Sequence, residues 1–228
     1  MQYLLQLLLL VQAQTAEETF KKIEEKIVSA KTLGVKFTLT SSKEAAQDDK
    51  KSPLMSGTLL LKEGNKGLLT HQTSQFPIAS IRLSDGRKIR AGGLKFEHDS
   101  PDNFKEGTLL GLARVGLMPT IFLSFQMLDI GEEDKAFQRF VKNLRVEKVR
   151  FGEDPGVEKT LIYSVAIAEP YHPGKIESAE AQIWYDPKTF NILKRTLKSG
   201  REVLIETFQD WAFNSDIPDE KFKLPAEK

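Results

Sequence analysis

The residues of this chain that could carry out chemistry are few and widely separated. The sequence has three histidines, His71, His98 and His172, and no cysteine. One histidine lies in an acidic stretch, Glu97-His98-Asp99, which Asp102 follows. A divalent-cation site needs several such ligands to converge, whereas a solvated loop that caps the next helix accounts for the same residues. We favour the loop, and we predict neither a metal site nor a cofactor.

The sequence also lacks the motifs of common enzyme chemistry. It contains no G-x-S-x-G, no H-E-x-x-H, no P-loop and no G-x-G-x-x-G after a predicted strand. Its 33 Lys and Arg balance 32 Asp and Glu, for a formal net charge of +1. Nucleic-acid binding requires a basic surface. We therefore predict a binding protein that is not an enzyme and whose partners do not include nucleic acid.

The N-terminal segment, Met1 to Ala13, has the composition of a cleavable signal peptide. It carries no charge, and Leu4 to Val11 is almost wholly apolar. Such a run is long enough for a signal-peptide core and too short to span a bilayer. Because Val11-Gln12-Ala13 fits the small-x-small pattern, we expect cleavage after Ala13, export to the periplasm and one domain over 14–228. The segment before the apolar run has no Lys or Arg, which leaves a buried N-terminal strand or helix as the alternative.

A short amphipathic helix is predicted immediately afterwards. Thr15 and Glu18 have the spacing of a capping box. Four apolar residues then share one helical face: Phe20, Ile23, Ile27 and Ala30. We expect Gly34 to stop the helix.

Most of the remaining chain shows the two-residue alternation of β-strands. The first strand begins at Val35, and a hairpin joins 57–61 to 68–70 through a glycine-containing loop. A second hairpin is predicted around Asp85-Gly86 as the central pair of a type I′ turn. The charged residues Arg87, Lys88 and Arg90 are interpreted as the solvated face of an edge strand, with contact to anionic head groups as the alternative. Later strands are predicted over 145–151, 160–168, 179–185, 190–198 and 202–211.

An apolar segment separates the two sets of strands and runs from Pro101 to about Ile130. It carries no charge from Val115 to Leu128, which is shorter than the run of about 18 residues that suggests a membrane span. We predict a helix up to Leu117, a break at Met118-Pro119 and a second helix through Leu128. A segment this apolar must be covered, and the sheet is the surface available to cover it.

The order of these elements resembles the periplasmic outer-membrane lipoprotein carrier superfamily, which has the LolA/LolB-like fold. The resemblance lies in the first helix and the strand that follows it, in the hairpin 57–66, and in the segments 84–88 and 184–189. The tail 213–225 is also similar to the closing strand of that family. It implies a mainly β (α+β) fold, in which a strongly curved antiparallel sheet forms an unclosed barrel. Helices plug its open side, and the apolar cavity between them takes acyl chains.

One departure from the family concerns the attachment of the lid. In the lipoprotein carriers an Arg-Pro pair after the second hairpin strand provides an arginine that latches the lid, whereas Glu63 and Gly64 stand here. The latch is therefore absent or rebuilt, and the chain resembles a divergent member of the superfamily.

These considerations give a set of candidate ligand-binding residues and a function. The candidates are Phe37, Leu39, Leu59, Leu61, Leu109, Leu112, Leu117, Met118, Ile121, Phe122, Phe125 and Trp184. Plain core packing is the alternative for the helical residues, and ordinary sheet packing for Trp184. The expected function is that of a monomeric periplasmic carrier that shelters lipid or lipoprotein acyl chains during envelope biogenesis. Peripheral membrane contact and an envelope protein partner are compatible with it, and a sensor or protein-interaction module without carrier activity is the alternative.

Overall fold

The computed structural model describes residues 14–43, 53–74, 79–91, 97–127, 133–153, 159–168, 175–200 and 202–223. Within these ranges, the strands form a single 11-stranded sheet, and every pairing in it is antiparallel. The described helices include none that is both long and apolar enough to cross a membrane.

The strands follow one another along the chain as hairpins on either side of a central strand. Their bounds are β1 Thr32–Lys43, β2 Met55–Lys62, β3 Lys66–Thr73, β4 Ser80–Asp85, β5 Lys88–Ala91, β6 Glu97–Asp99, β7 Arg145–Phe151, β8 Lys159–Ala168, β9 Ile176–Tyr185, β10 Ile192–Ser199 and β11 Glu202–Phe213. Their order in the sheet is β6-β5-β4-β3-β2-β1-β11-β10-β9-β8-β7.

The sheet is curved and does not close, since β6 and β7 form its two edges. The main chains of β2 and β3 approach closely at Gly57, where a Cβ would lie 2.1 Å from the carbonyl oxygen of Thr70. A residue with a side chain could not approach so closely. The predicted mainly β fold with an unclosed antiparallel sheet is confirmed.

Helix α1, Ala16–Val28, begins at the predicted capping box. The Thr15 N–H donates to Glu18 Oε2 at 2.9 Å, and the Glu18 N–H donates to Thr15 Oγ1 at 3.1 Å. The helix ends before the predicted stop, and Gly34 lies inside β1. The residues around Gly34 form a strand because alternate side chains of β1 pack on the buried face of the sheet.

Three further helices cover the sheet: α2 Phe104–Arg114, α3 Leu117–Ser124 and α4 Glu133–Asn143. The predicted break at Met118-Pro119 is wrong, since the chain turns at Gly116 with a φ of 108°. Pro119 lies in the first turn of α3, where a missing N–H costs nothing. Leu128 lies outside the described residues. Helix α4 was not predicted, although Phe137 and Phe140 lie on one helical face.

The turn at Asp85-Gly86 belongs to a different type from the one predicted. Asp85 ends β4 and Lys88 begins β5, so the central pair is Gly86-Arg87. Gly86 has a φ of 99°, and neither neighbour has a positive φ. A glycine at the first central position is typical of a II′ turn and not of a I′ turn.

Within the described residues, the tail after β11 turns back onto the sheet and forms no strand as far as Lys223; Leu224 and Pro225 of the predicted closing strand lie outside the described residues. It forms a 3-10 turn, Asp219–Phe222, with Phe222 buried. The Asp219 carboxylate forms ion pairs with Lys62 Nζ at 2.7 Å and with Lys66 Nζ at 2.9 Å. These two ion pairs hold the pKa of Asp219 down, at about 2.

Candidate functional site: a buried polar joint beneath the covering helices

The predicted ligand-binding residues mostly share one interior. Those of the sheet and helices that are buried there are Phe37, Leu39, Leu59, Leu61, Leu109, Leu112, Leu117, Ile121 and Phe125. Met118 and Phe122 are partly buried and pack against the same core. The covering helices therefore fill the concave side of the sheet with their own side chains, and contact of these residues with a ligand stays a prediction.

Trp184 lies elsewhere, and its predicted place in the cavity needs correction. Along β9 the buried residues Ala181, Ile183 and Tyr185 alternate with partly exposed ones, so Trp184 faces away from the helices. The Lys194 ammonium lies 4.4 Å from the centroid of its indole ring. Its position matches the alternative of ordinary sheet packing.

The interior also holds a pair of opposite charges that was not predicted from the sequence. Arg195 in β10 and Glu206 in β11 are direct cross-strand neighbours. They lie in a row that is otherwise apolar, with Leu39 on one side and Ile183 on the other. Arg195 is 0% exposed and Glu206 3% exposed, and Arg195 Nη1 lies 3.8 Å from Glu206 Oε2.

Arg195 binds the end of α2. Its Nη1 donates to the Leu112 carbonyl and its Nη2 to the Ala113 carbonyl, each at 2.7 Å. The Tyr163 hydroxyl donates to the Arg114 carbonyl at 2.9 Å. The last carbonyls of a helix have no partner within it and carry partial negative charge, so the guanidinium satisfies groups that would otherwise be buried unpaired.

Glu206 binds the start of α3 in the complementary way. Its carboxylate accepts from the N–H of Leu117 at 3.0 Å and from the N–H of Met118 at 2.8 Å. Gly116 lets the chain approach this closely, since a Cβ there would lie 2.4 Å from Glu206 Oε2. We call Arg195, Glu206, Tyr163 and Gly116 the polar joint.

Burial dominates the electrostatics of the polar joint. It raises the pKa of Glu206, while the Arg195 charge and the two backbone N–H groups act in the opposite direction. It also raises the pKa of the Tyr163 hydroxyl. The joint therefore fixes one position of α2 and α3 through charge-assisted hydrogen bonds to their main chain.

A second contact ties the covering helices to α1. The Arg114 guanidinium forms an ion pair with Glu24 of α1 and donates to the Leu144 carbonyl at 2.7 Å. The α2–α3 break is thus attached both to the sheet and to α1.

The sequence contained a signal for the joint. Arg195 is two residues from buried Leu197, and Glu206 is two residues from buried Phe208. The period of two places each charge on the dry face of its strand. Two opposite charges on adjacent dry faces predict a buried ion pair once the strands are known to be neighbours.

The acidic stretch around His98 lies on the short edge strand β6 and is engaged in ion pairs. Lys88 Nζ is 2.8 Å from Asp99, and Arg90 Nε is 2.8 Å from Glu97. The described part of the chain holds no group of three or more His, Asp or Glu placed to bind a metal ion. The edge-strand interpretation of the basic residues is wrong, because β5 pairs with β4 and with β6.

Neither a protein-family model nor a curated protein matches this sequence. Several solved structures are similar to it. The lipoprotein LppX of Mycobacterium tuberculosis is 10% identical, with a TM-score of 0.43 over 89% of this chain and 98% of that chain. A LolA superfamily protein from Nitrosomonas europaea is 11% identical, with a TM-score of 0.40 over 92% and 98% of the two chains. LprF from Mycobacterium bovis is 12% identical, with a TM-score of 0.40 over 90% and 98%.

The superfamily that the sequence resembles is therefore represented among the similar structures. At these identities and scores the similarity concerns the arrangement of the chain, and function has to be inferred from the geometry of the polar joint and its surroundings.

Proposed function

We propose that this protein shelters the acyl chain of a lipid or of a lipid-modified protein between its curved sheet and helices α2 and α3. It acts as a periplasmic carrier in envelope biogenesis. The observation that carries the proposal is the polar joint, which fastens two apolar helices to an apolar sheet face through their main chain.

A buried ion pair is a poor choice for stability alone. Replacing such a pair by well-packed hydrophobic residues is often neutral or stabilising, because the charges lose their hydration. Arg195 and Glu206 instead specify where the α2–α3 break lies. A plug held by a few directional bonds has one seated position and can leave it as a unit when those bonds are broken.

The apolar contacts on either side of the joint make an exchange with hydrocarbon feasible. Each acyl CH₂ that leaves water contributes about 0.8 kcal/mol. An acyl chain that takes the place of Leu109, Leu112 and Ile121 against the sheet would restore contacts of the same kind. Met118 and Phe122 are the partly buried members of the set, so a ligand would reach them first.

Phe122→Ala tests whether α3 lines a ligand site. In a permanently packed core, an aromatic-to-alanine change costs about 3–5 kcal/mol. Phe122 is only partly buried, so we expect a loss below this range in either case, and several-fold weaker binding of a fluorescent hexadecanoyl probe is the deciding result. Urea denaturation and a fluorescence titration measure the two quantities. Phe137→Ala in α4 is the matched control, and it should show the full core penalty with unchanged probe affinity.

The opposite pattern would remove the carrier proposal. If the wild type shows no saturable binding of the probe, or if Phe122→Ala binds it as the wild type does, α3 is a permanent part of the core. The protein-interaction or sensor module would then be the function to pursue.

A further inference from the structure

The face of the sheet that the helices cover carries two basic residues on one side. Rows of cross-strand neighbours run over this face from β1 towards β4. One row passes from Phe37 through a glycine to His71. The next row passes from Leu59 through Leu69 to Arg82. Two apolar rows of the predicted acyl site thus end in an imidazole and a guanidinium, and we call His71 and Arg82 the basic end.

The two residues of the basic end lie on the same face of the sheet. Arg82 is opposite Leu69 on β3, and His71 is two residues further along that strand, so all three share a face. Leu69 and His71 are both buried. Diagonal neighbours of this kind lie about 7–8 Å apart, within reach of a long side chain. The Arg82 charge acts on the imidazole, because burial first and that charge second lower the pKa of His71. One ligand group can therefore contact both side chains.

His71 has a hydrogen-bonding atom that nothing in the described structure satisfies. The residue is 7% exposed, and its Nδ1 atom is buried without a hydrogen-bond partner. Buried polar atoms normally have partners, and leaving one unsatisfied weakens the fold. The residue opposite His71 on β2 is Gly57, so β2 offers no side chain to Nδ1. A partner that arrives with a ligand would satisfy this atom.

The distribution of charge indicates what that ligand carries. Strands β2 to β6 contain three carboxylates, Asp85, Glu97 and Asp99. All three lie on the opposite face of the sheet, where they form ion pairs with basic residues of β5. The covered face of the same strands carries the Arg82 guanidinium. An anion beside that group gains an attraction that burial strengthens, and a guanidinium matches the paired oxygens of a carboxylate or a phosphate.

We propose that the basic end binds the anionic head group of the acyl ligand. The head group, a carboxylate or a phosphate, accepts hydrogen bonds from Arg82 and His71, and the acyl chain runs from there along Phe37 and Leu39 towards α3. This inference rests on the proposed carrier function, since the chain reaches the covered face only where α2 and α3 make way for it. It adds that the preferred ligand is an anion and not a neutral lipid.

Displacement of the fluorescent hexadecanoyl probe tests the proposal with three ligands that share one chain. They are hexadecanoate, hexadecyl phosphate and the uncharged hexadecan-1-ol. We expect the better anion to bind about tenfold more tightly than the alcohol, because only an anion makes charge-assisted bonds. The order of the two anions distinguishes a fatty-acid carboxylate from a lipid phosphate. The pKa of His71, followed by NMR, should rise when an anion is bound and should not rise with the alcohol.

Variants at the basic end locate the effect. Arg82→Met keeps the length of the side chain and should weaken binding of the anions about tenfold while the alcohol binds as before, and Arg82→Lys, which keeps the charge, should lose less. His71→Leu should weaken binding of the anions about fivefold, the effect of one hydrogen bond. Arg90→Met is the matched control with unchanged affinities, since Arg90 lies on the neighbouring strand β5 and pairs with Glu97 on the opposite face.

Equal affinities of the wild type for the alcohol and both anions would overturn the head-group site, as would an Arg82→Met variant that keeps the full preference for anions. Either result leaves the carrier proposal standing, because the alcohol still binds. A wild type that binds none of the three ligands would remove both proposals, so the two failures can be told apart. In each variant, the affinity for the alcohol also shows whether the interior is still folded.

Discussion

Two groups of charged residues in this molecule differ in distance and in environment. On the exposed β5–β6 hairpin, Lys88 and Asp99 lie 2.8 Å apart, whereas the buried Arg195 and Glu206 lie 3.8 Å apart. Breaking the closer pair costs less, because water and salt already screen it and water solvates the partner that remains. The longer pair has lost its hydration, so each charge depends on the other and on the helix ends. The comparison shows that burial, and not contact distance, decides what an ion pair does.

The largest effect is expected when the buried pair is broken from one side. Arg195→Met leaves the Glu206 carboxylate and two α2 carbonyls without their partner, and we expect a loss of about 3–5 kcal/mol in the free energy of unfolding. Urea denaturation measures it. Arg90→Met in the exposed hairpin is the matched control and should change stability little. Similar losses for the two variants would contradict the comparison.

A smaller effect is expected at the glycine inside the joint. Gly116 and Gly200 both have positive φ, at 108° and 60°, but a Cβ on Gly116 would strike Glu206 while one on Gly200 meets nothing within 4 Å. Gly116→Ala should cost about 2–4 kcal/mol from backbone strain plus the collision. Gly200→Ala should cost about 1–2 kcal/mol, the penalty of the left-handed region alone. Thermal unfolding compares them, and equal costs would mean that the joint yields to the extra atom.

The sequence predicted the helices and strands better than the breaks between them and the contacts between distant elements. The capping box at Thr15 and the alternation in the strands act over a few residues, so their outcome can be inferred locally. The position of the α2–α3 break could not be inferred locally. Pro119 is the stronger local signal for a break, but the chain turns at Gly116. The turn lies there because the Glu206 carboxylate, 90 residues along the chain, accepts hydrogen bonds from the N–H groups of the two residues after Gly116. The filled interior depended in part on α4, which was missed.

The smallest effect concerns the exposed tail and should depend on pH. Lys62 and Lys66 lower the pKa of Asp219 from 3.8 to about 2. A carboxylate with a depressed folded-state pKa stabilises the protein above its unfolded pKa, and this contribution is lost as the pH falls from about 4 to about 2. Asp219→Asn should therefore melt slightly below the wild type at pH 7, and the difference should disappear towards pH 2. Asp216→Asn controls for the loss of a nearby carboxylate. A difference that persists at the acidic end would contradict the ion-pair explanation.

The pairing of β1 with β11 has a consequence for how the chain folds. β1 lies between β2, its neighbour along the chain, and β11, with Leu33 opposite Phe213. Pairing over such a separation comes late, because the long loop between the strands must close before the contacts form. Until β11 has been synthesised, β1 has one bare edge, and an unpaired strand edge is a template for association with other chains. The segment 32–43 therefore needs protection in the nascent chain until the last strand arrives.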